Sequence, residues 1–257
     1  MRRLFFDIET SPNVVYSWGV GYNISISYEN IIKERAIICI AYKWEGEDRV
    51  RSLRWNKGDD KAMLEKFAKV MKQSDEMVAH NGDRYDIKFL RARCIFHEIA
   101  IPQTIVTEDT LKRARSTFRM NSNRLDYIGQ YLGVGQKMDT GGFDLWKRVM
   151  DGERQALTEM VAYCEQDVRL LEKVYHRMSP YFKQKTHEGV LHGGDKLVCP
   201  KCASRDGNRD KRSVTAAGTP MIQLWCRDCN YYWTIGERTY SALVEAREKA
   251  KNLLSTR

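Results

Sequence analysis

Two short cysteine pairs constrain this chain more than any other feature: "CPKC" at 199–202 and "CRDC" at 226–229, with residues 203–225 between them. Two Cys-x2-Cys knuckles at this separation can bring four thiols to one point, and four thiolates satisfy a tetrahedral zinc ion in a closed, structural site. Cys39, Cys94 and Cys164 sit singly in apolar patterns and read as small buried hydrophobes. The opening "MRRLFFDIET" has too short an apolar run before Asp7 for a secretory signal. Paired cysteines without such a signal favour metal over disulfides, and a cytoplasmic location is expected. Cys199, Cys202, Cys226 and Cys229 are therefore the expected ligands of one structural Zn2+.

The residues before this module carry a different pattern. "RRLFFDIET" reads as a buried strand, and "RAIICIAYKW", "EGED", "RVRSLRW" as two strands joined by a turn. "DDKAMLEKFAKVMKQ" is an acid-started amphipathic helix, "EMVAH" a short strand, and "DIKFLRARCIFHE" a helix. "RLDYIGQYLGVG" is a helix closed by glycine, and "ALTEMVAYCEQDVRLLEKVYHRM" a long helix stopping before Pro180. This order predicts an α/β domain over residues 1–180, a mixed sheet flanked by helices. A linker over 181–196, a small β zinc ribbon over 197–238 and a C-terminal helix over 239–257 follow. No apolar run reaches the length of a membrane span, so no membrane partner is expected.

The formal charge is +9 over 257 residues. Residues 181–257 hold 14 Lys and Arg against 8 Asp and Glu, whereas residues 1–180 hold 29 against 26. The surplus is concentrated at the C-terminal end, which suits a polyanionic partner or serves solubility alone.

One acid in the long helix is out of place. Alternating four- and three-residue steps give Met160, Cys164, Asp167, Leu171, Val174 and Met178, the apolar seam of an amphipathic helix. Asp167 either reaches water at the seam's edge, pairs with a buried arginine, or points into a cleft and binds a cation, since a buried carboxylate needs positive compensation. A ligand role requires further carboxylates with the same problem. Asp7 and Glu9 project to one side of their strand, with Leu4, Phe6 and Ile8 on the other; such a pair marks an exposed strand end or a cation site. Asp86 shares a helix side with Phe89 and Leu90, although Asp83 is the more routine helix-start residue. Tyr163 precedes Asp167 by one helical turn and lies on the same side.

Taken together, "DIET", "NGDRYD" and "YCEQD" resemble the three motifs of the DEDD superfamily of 3′–5′ exonucleases, in the subclass marked by tyrosine. The histidine subclass places His where this chain has Ala162. "DTLKRARSTFRMNSNRLDYIGQYLGVGQK" (109–137) also resembles the segment before the third motif in exonucleases related to the proofreading domain of family-B DNA polymerases. The resemblance spans residues 1–180 and implies a ribonuclease-H-like fold.

It further implies a metal-dependent enzyme releasing nucleoside monophosphates from single-stranded or frayed DNA 3′ ends. Two Mg2+ or Mn2+ ions would be held by Asp7, Glu9, Asp86 and Asp167. Asp7 would bridge both, Glu9 and Asp167 complete one site, and Asp86 support the other. Ions about 3.5–4 Å apart stabilise the attacking and leaving oxygens of an in-line displacement. Tyr163 would orient the attacking water. By the same resemblance Thr10 and Asn81 would touch the terminal nucleotide. Lys112, Arg115 and Arg119, in a basic stretch with Arg113, either track a phosphate backbone or form a solvated helix face.

The C-terminal segment resembles zinc ribbons of transposon-associated and transcription proteins. Its Trp225, Tyr231, Tyr232 and Trp233 stack on bases or form the core of a module too small to fold without metal. DNA is expected ahead of RNA. The sequence leaves open an exoribonuclease with the same site, a non-catalytic nucleic-acid-binding adaptor, and a polymerase or a replication or repair protein as partner.

Overall fold

The strand carrying Asp7 and Glu9, β1 (Arg3–Thr10), has neighbours on both sides of a five-stranded sheet. The computed structural model describes residues 1–21 and 23–255 and divides into two units, residues 2–179 and residues 180–257 with Met1. In the first unit β1 is followed by a small antiparallel pair, β2 (Val14–Val15) and β3 (Ile31–Lys33). Next come β4 (Ile37–Trp44), β5 (Arg51–Arg54), α1 (Lys61–Met71), β6 (Glu76–Ala79) and α2 (Asp86–Phe96). The unit continues with β7 (Thr107–Asp109), α3 (Thr110–Thr117), α4 (Leu125–Tyr131), α5 (Asp144–Met150) and α6 (Arg154–Met178). Sheet order is β5-β4-β1-β6-β7. β1 runs antiparallel to β4 and parallel to β6, so the sheet is mixed. Helices flank it, as the sequence pattern requires.

Alternation along β1 sorts the two faces. Leu4, Phe6 and Ile8 join Met63, Leu64 and Phe67 of α1 and Leu90 of α2 in one buried cluster. Phe5, on the opposite face, meets Tyr175 of α6 edge-on, with ring centroids 5.3 Å apart. Asp7 and Glu9 share Phe5's face by the same alternation. The long helix thus covers the side of the sheet to which the two acids belong.

A buried carboxylate far from them ties three elements together. Asp60, at the start of α1, accepts the backbone N–H of Ile37 at 2.9 Å and both Nε and Nη2 of Arg93 at 2.8 and 2.7 Å. His97 Nε2 lies 2.7 Å away. Burial pushes the Asp60 carboxyl up, but these hydrogen bonds outweigh it and hold the group below its ordinary range. Asp60 therefore stabilises the fold above about pH 4, and this contribution is lost as the pH falls further. Asp60→Asn should cost about 3 kcal/mol in urea unfolding at pH 7, because Arg93 loses its partner; an unchanged midpoint would refute that role.

The second unit contains a short helix, α7 (Glu188–Leu191), then β8 (Gly207–Val214), β9 (Pro220–Cys226), β10 (Tyr232–Gly236) and α8 (Glu237–Ser255). The three strands form an antiparallel sheet in the order β10-β9-β8. Its buried cluster consists of Leu197, Cys199, Ile222, Leu224, Cys226, Trp233 and Ile235. Among the described residues, no helix is long and apolar enough to cross a membrane.

Candidate active site

The aspartate in the helix seam faces the acids of the central strand. Oxygen atoms of Asp7, Glu9 and Asp167 lie within 4.8 Å of one another. Cys164, one step earlier in the seam, places its thiol 3.5 Å from the Asp7 carbonyl and 3.6 Å from Asp7 Oδ2. This small side chain lets α6 approach β1 closely. Asp86 opens α2 and is buried. After burial, its charge is the strongest influence raising the Asp7 carboxyl.

Four acids so placed resist ionising together. Burial first, then the Asp86, Glu9 and Asp167 charges, pushes Asp7 well above the carboxylate range. Glu9 rises to about 8, chiefly by burial and then by Asp167. Asp86 rises to about 7, mainly by burial, against hydrogen bonds from backbone N–H groups. Asp167 is raised by burial, although Lys137 opposes the shift. Asp167 Oδ1 is buried without a hydrogen-bond partner. The donor set is all oxygen and short of positive charge.

Lys137 supplies one cation. Its ammonium pairs with Asp167 and donates to the Tyr163 hydroxyl at 3.1 Å. Tyr163 is pushed up to about 12, by burial and then by the Asp167 charge. Trp146 of α5 stands edge-on to Tyr163 at 6.3 Å, and its Nε1 donates to the Thr10 carbonyl at 3.2 Å. Neither Lys137 nor Trp146 was singled out from the sequence. Lys137 lies on irregular chain between α4 and α5, where no periodicity marks a face. Its only sequence signal was its place as the last residue of the segment 109–137.

The turn between β6 and α2 brings Asn81 to the same place. Asn81 adopts φ +70°, and its N–H donates to Asp109 Oδ1 at 2.9 Å. Gly82 is needed beside it, because a Cβ there would meet Ala79 Cβ at 2.5 Å. Asp109 also caps α3 through the Leu111 N–H at 2.9 Å, so one buried acid orders both turns. His80 donates from Nε2 to the Asn123 carbonyl at 3.0 Å, leaving Nδ1 to accept from Thr110 at 2.9 Å. Burial pushes its imidazole down to about 4, so it is neutral at physiological pH.

A cavity of about 800 Å3 opens here, lined by Asp7, Asn81, Arg115, Arg124 and Lys137 among others. Of the residues expected to meet substrate, Asn81 and Arg115 line it. Thr10 is buried, with its hydroxyl held 2.7 Å from the Tyr85 hydroxyl and 2.8 Å from Arg35 Nη2. Lys112 pairs with Asp83 at 2.7 Å. α2 begins at Asp86, so Asp86 and not Asp83 is the acid of its first turn. Arg119 is exposed and is not among the lining residues.

In the second unit the four cysteines converge, with all sulfurs within 4.8 Å of one another. Cys199 and Cys229 are 3.6 Å apart, and Cys202 and Cys226 3.7 Å. Both separations are far longer than a disulfide's ~2.05 Å. Four thiols so gathered can hold a metal ion.

The mixed sheet with its central acidic strand defines a ribonuclease-H-like domain, and its acid cluster can hold divalent metal. The family described as the RNase_H superfamily matches residues 4–179, and the chain belongs to that superfamily. A DNA polymerase of Thermococcus hydrothermalis is 30% identical over 105 residues, which are 37% of this chain and 5% of that protein. A solved structure of the family B DNA polymerase from the hyperthermophilic archaeon Pyrobaculum calidifontis is similar with a TM-score of 0.54 at 15% identity. That likeness covers 84% of this chain and 31% of the polymerase, and it is one of fold.

Proposed function

We propose that residues 2–179 form a metal-dependent 3′–5′ exonuclease of the tyrosine-marked DEDD type, releasing nucleoside monophosphates from DNA 3′ ends. The observation that carries this reading is the convergence of Asp7, Glu9 and Asp167 oxygens within 4.8 Å, with buried Asp86 raising the Asp7 carboxyl. The partnerless Asp167 Oδ1 and the raised carboxyl groups fit two hard cations, Mg2+ or Mn2+, held by these four residues. When bound, such ions acidify water and stabilise charge on the leaving oxygen. Tyr163, raised to about 12, keeps its proton and orients the nucleophile by hydrogen bonding. Lys137 holds Tyr163 and Asp167 in position through its ammonium. Arg115 and Arg124, at the cavity wall, meet the phosphates, and Asn81 meets the terminal nucleotide.

DNA as substrate is supported by the stretch shared with a DNA polymerase. The second unit is read as a zinc ribbon. Tetrahedral Zn–S bonds of ~2.3 Å place sulfurs about 3.8 Å apart, close to the 3.6 and 3.7 Å seen between the cysteine pairs.

The test is digestion of 3′- and 5′-labelled single- and double-stranded DNA, and of matched RNA, with Mn2+ and with chelator. Monophosphates released stepwise from DNA 3′ ends only with metal are expected. Faster RNA degradation would reassign the substrate, and metal-independent cleavage would remove the mechanism.

A further inference from the structure

Residues 2–179 contain a second cavity, of about 770 Å3, that shares no lining residue with the cavity at Asp7. Lys33 of β3, Arg54 of β5, Lys57 of the following turn and Arg154 of α6 line it. All four are exposed, and among the described residues none of them has an ion-pair partner. Two acids also line the cavity, Asp151 and Glu153. Glu153 is turned to Arg148, which donates to it at 2.8 and 2.6 Å and to Glu159 at 3.0 Å. Even with both acids counted in full, four cations against two leave a surplus of two positive charges. The walls are held in place. Trp55 is buried, its N–H donates to the Ile38 carbonyl at 2.9 Å, and the Lys33 ammonium stands 5.7 Å from its ring centroid. Asn56 and Asp59 exchange backbone hydrogen bonds at 2.8 and 3.0 Å, which fixes the turn carrying Lys57. The first turn of α6 lines the cavity as well, and Glu153 gives it no side-chain cap, so the helix's positive end adds to the field of the four cations.

Unpaired cations gathered in a concavity focus a positive potential that favours an anion. The cavity's place in the sheet favours one anion over others. Glu9 pairs with Cys39, and Cys39 with Arg54, so the three form one row across β1, β4 and β5 with their side chains on one face. Two strand spacings put the Arg54 backbone about 10 Å from that of Glu9. A nucleic-acid strand repeats its phosphate at every nucleotide, so a strand that ends at the acids has further phosphates to place within this reach. Four cations spread around the cavity also suit several phosphates better than one small anion. β5 is an edge strand, which suits an acidic peptide as the rival occupant. The shared row with Glu9 favours the nucleic acid. We infer that this cavity binds phosphates of the strand being degraded, away from the bond that is cut, through Lys33, Arg54, Lys57 and Arg154. The inference rests on the exonuclease reading for the identity of that strand, whereas its binding is measured without hydrolysis.

The experiment uses the full chain carrying Asp7→Asn, and a 5′-fluorescein-labelled oligodeoxythymidylate about 20 nucleotides long, followed by anisotropy across a salt series. Adding R54Q, K57N and R154Q together should weaken binding about tenfold and reduce the log–log salt slope by about 2, at ~0.7 for each phosphate no longer neutralised. Asparagine suits the φ of +50° at Lys57, and a matched melting temperature reports that the fold is kept. Asp151→Asn should act in the opposite direction and tighten binding about threefold. In the chain with Asp7 intact, the triple variant should raise KM for the same oligonucleotide about tenfold with kcat unchanged. It should hydrolyse a thymidine dinucleotide, too short to reach the cavity, at the parental rate. An unchanged Kd and slope would overturn the inference, as would an equal loss of dinucleotide hydrolysis. Inorganic phosphate that reduces the parent's affinity to the variant's at constant ionic strength would reassign the cavity to a free anion. A polyglutamate peptide that does the same would reassign it to an acidic protein. A parent that hydrolyses neither substrate would count against the exonuclease reading, while anisotropy still decides whether the cavity holds a strand.

Discussion

Asp7→Asn is expected to lower 3′-end hydrolysis by roughly a thousandfold or more, because it removes a carboxylate from the set proposed to hold metal. It should do so without unfolding the protein. Asp7 is half-buried with Glu9 and Asp167 close by and Asp86 acting strongly on it, so a neutral amide of the same shape relieves repulsion. The pH dependence distinguishes this from a packing defect. The folded Asp7, Glu9 and Asp86 carboxyls are all raised, so the native state holds protons that the unfolded chain releases from about pH 4 upward. Without divalent metal, stability therefore falls as the pH rises through the window from about 4 to 8. The variant should melt at or above the parent's temperature, with the difference small near pH 4 and largest near pH 8. Saturating Mg2+ should restore the parent at high pH and help the variant less. Hydrolysis within tenfold of the parent, or a variant that melts lower at every pH, would defeat the assignment.

Cys199→Ser should have the larger structural effect. Cys199 is fully buried in the second unit's core, and its sulfur accepts the Lys201 N–H at 3.4 Å. That core has few members, two of them cysteines themselves. Structural zinc contributes an apparent ~10–16 kcal/mol in peptides of this kind, more than so small a cluster supplies by burial alone. The variant is expected to lose its zinc equivalent and to become protease-sensitive over residues 199–236. Dinucleotide hydrolysis by residues 2–179 should persist. A protease-resistant second unit with no zinc bound would show that the apolar cluster suffices.

Much of this arrangement was legible in the sequence, for identifiable reasons. Strand alternation put Asp7 and Glu9 on one side, and helical spacing put Asp167 in the seam that faces them. Both depend on periodicity, which survives in a single sequence. The parts that escaped have none. Lys137 reaches the acids from irregular chain, and Asp109 ends a three-residue strand before capping the next helix. Trp146 lies on a helix of seven residues, too short to display a face. Thr10 shows the opposite limit. The resemblance implies that it touches the terminal nucleotide, and spacing along the chain does not show that Arg35 and Tyr85, from elements distant in sequence, hold its hydroxyl. Lys112 likewise meets Asp83 across a turn that sequence spacing does not measure.

The placement of β1 between two paired strands has a consequence for how the site moves. The β6 ladder covers only Arg3 to Phe5, so Asp7 and Glu9 pair along one edge alone, with Ala41 and Cys39 of β4, on backbone that this single ladder holds. Lys137 stands on chain with no ladder or helix to stiffen it. One wall of the cleft is therefore held by a strand ladder and the other by side-chain contacts alone, so any yielding of the cleft falls to the lysine-bearing side.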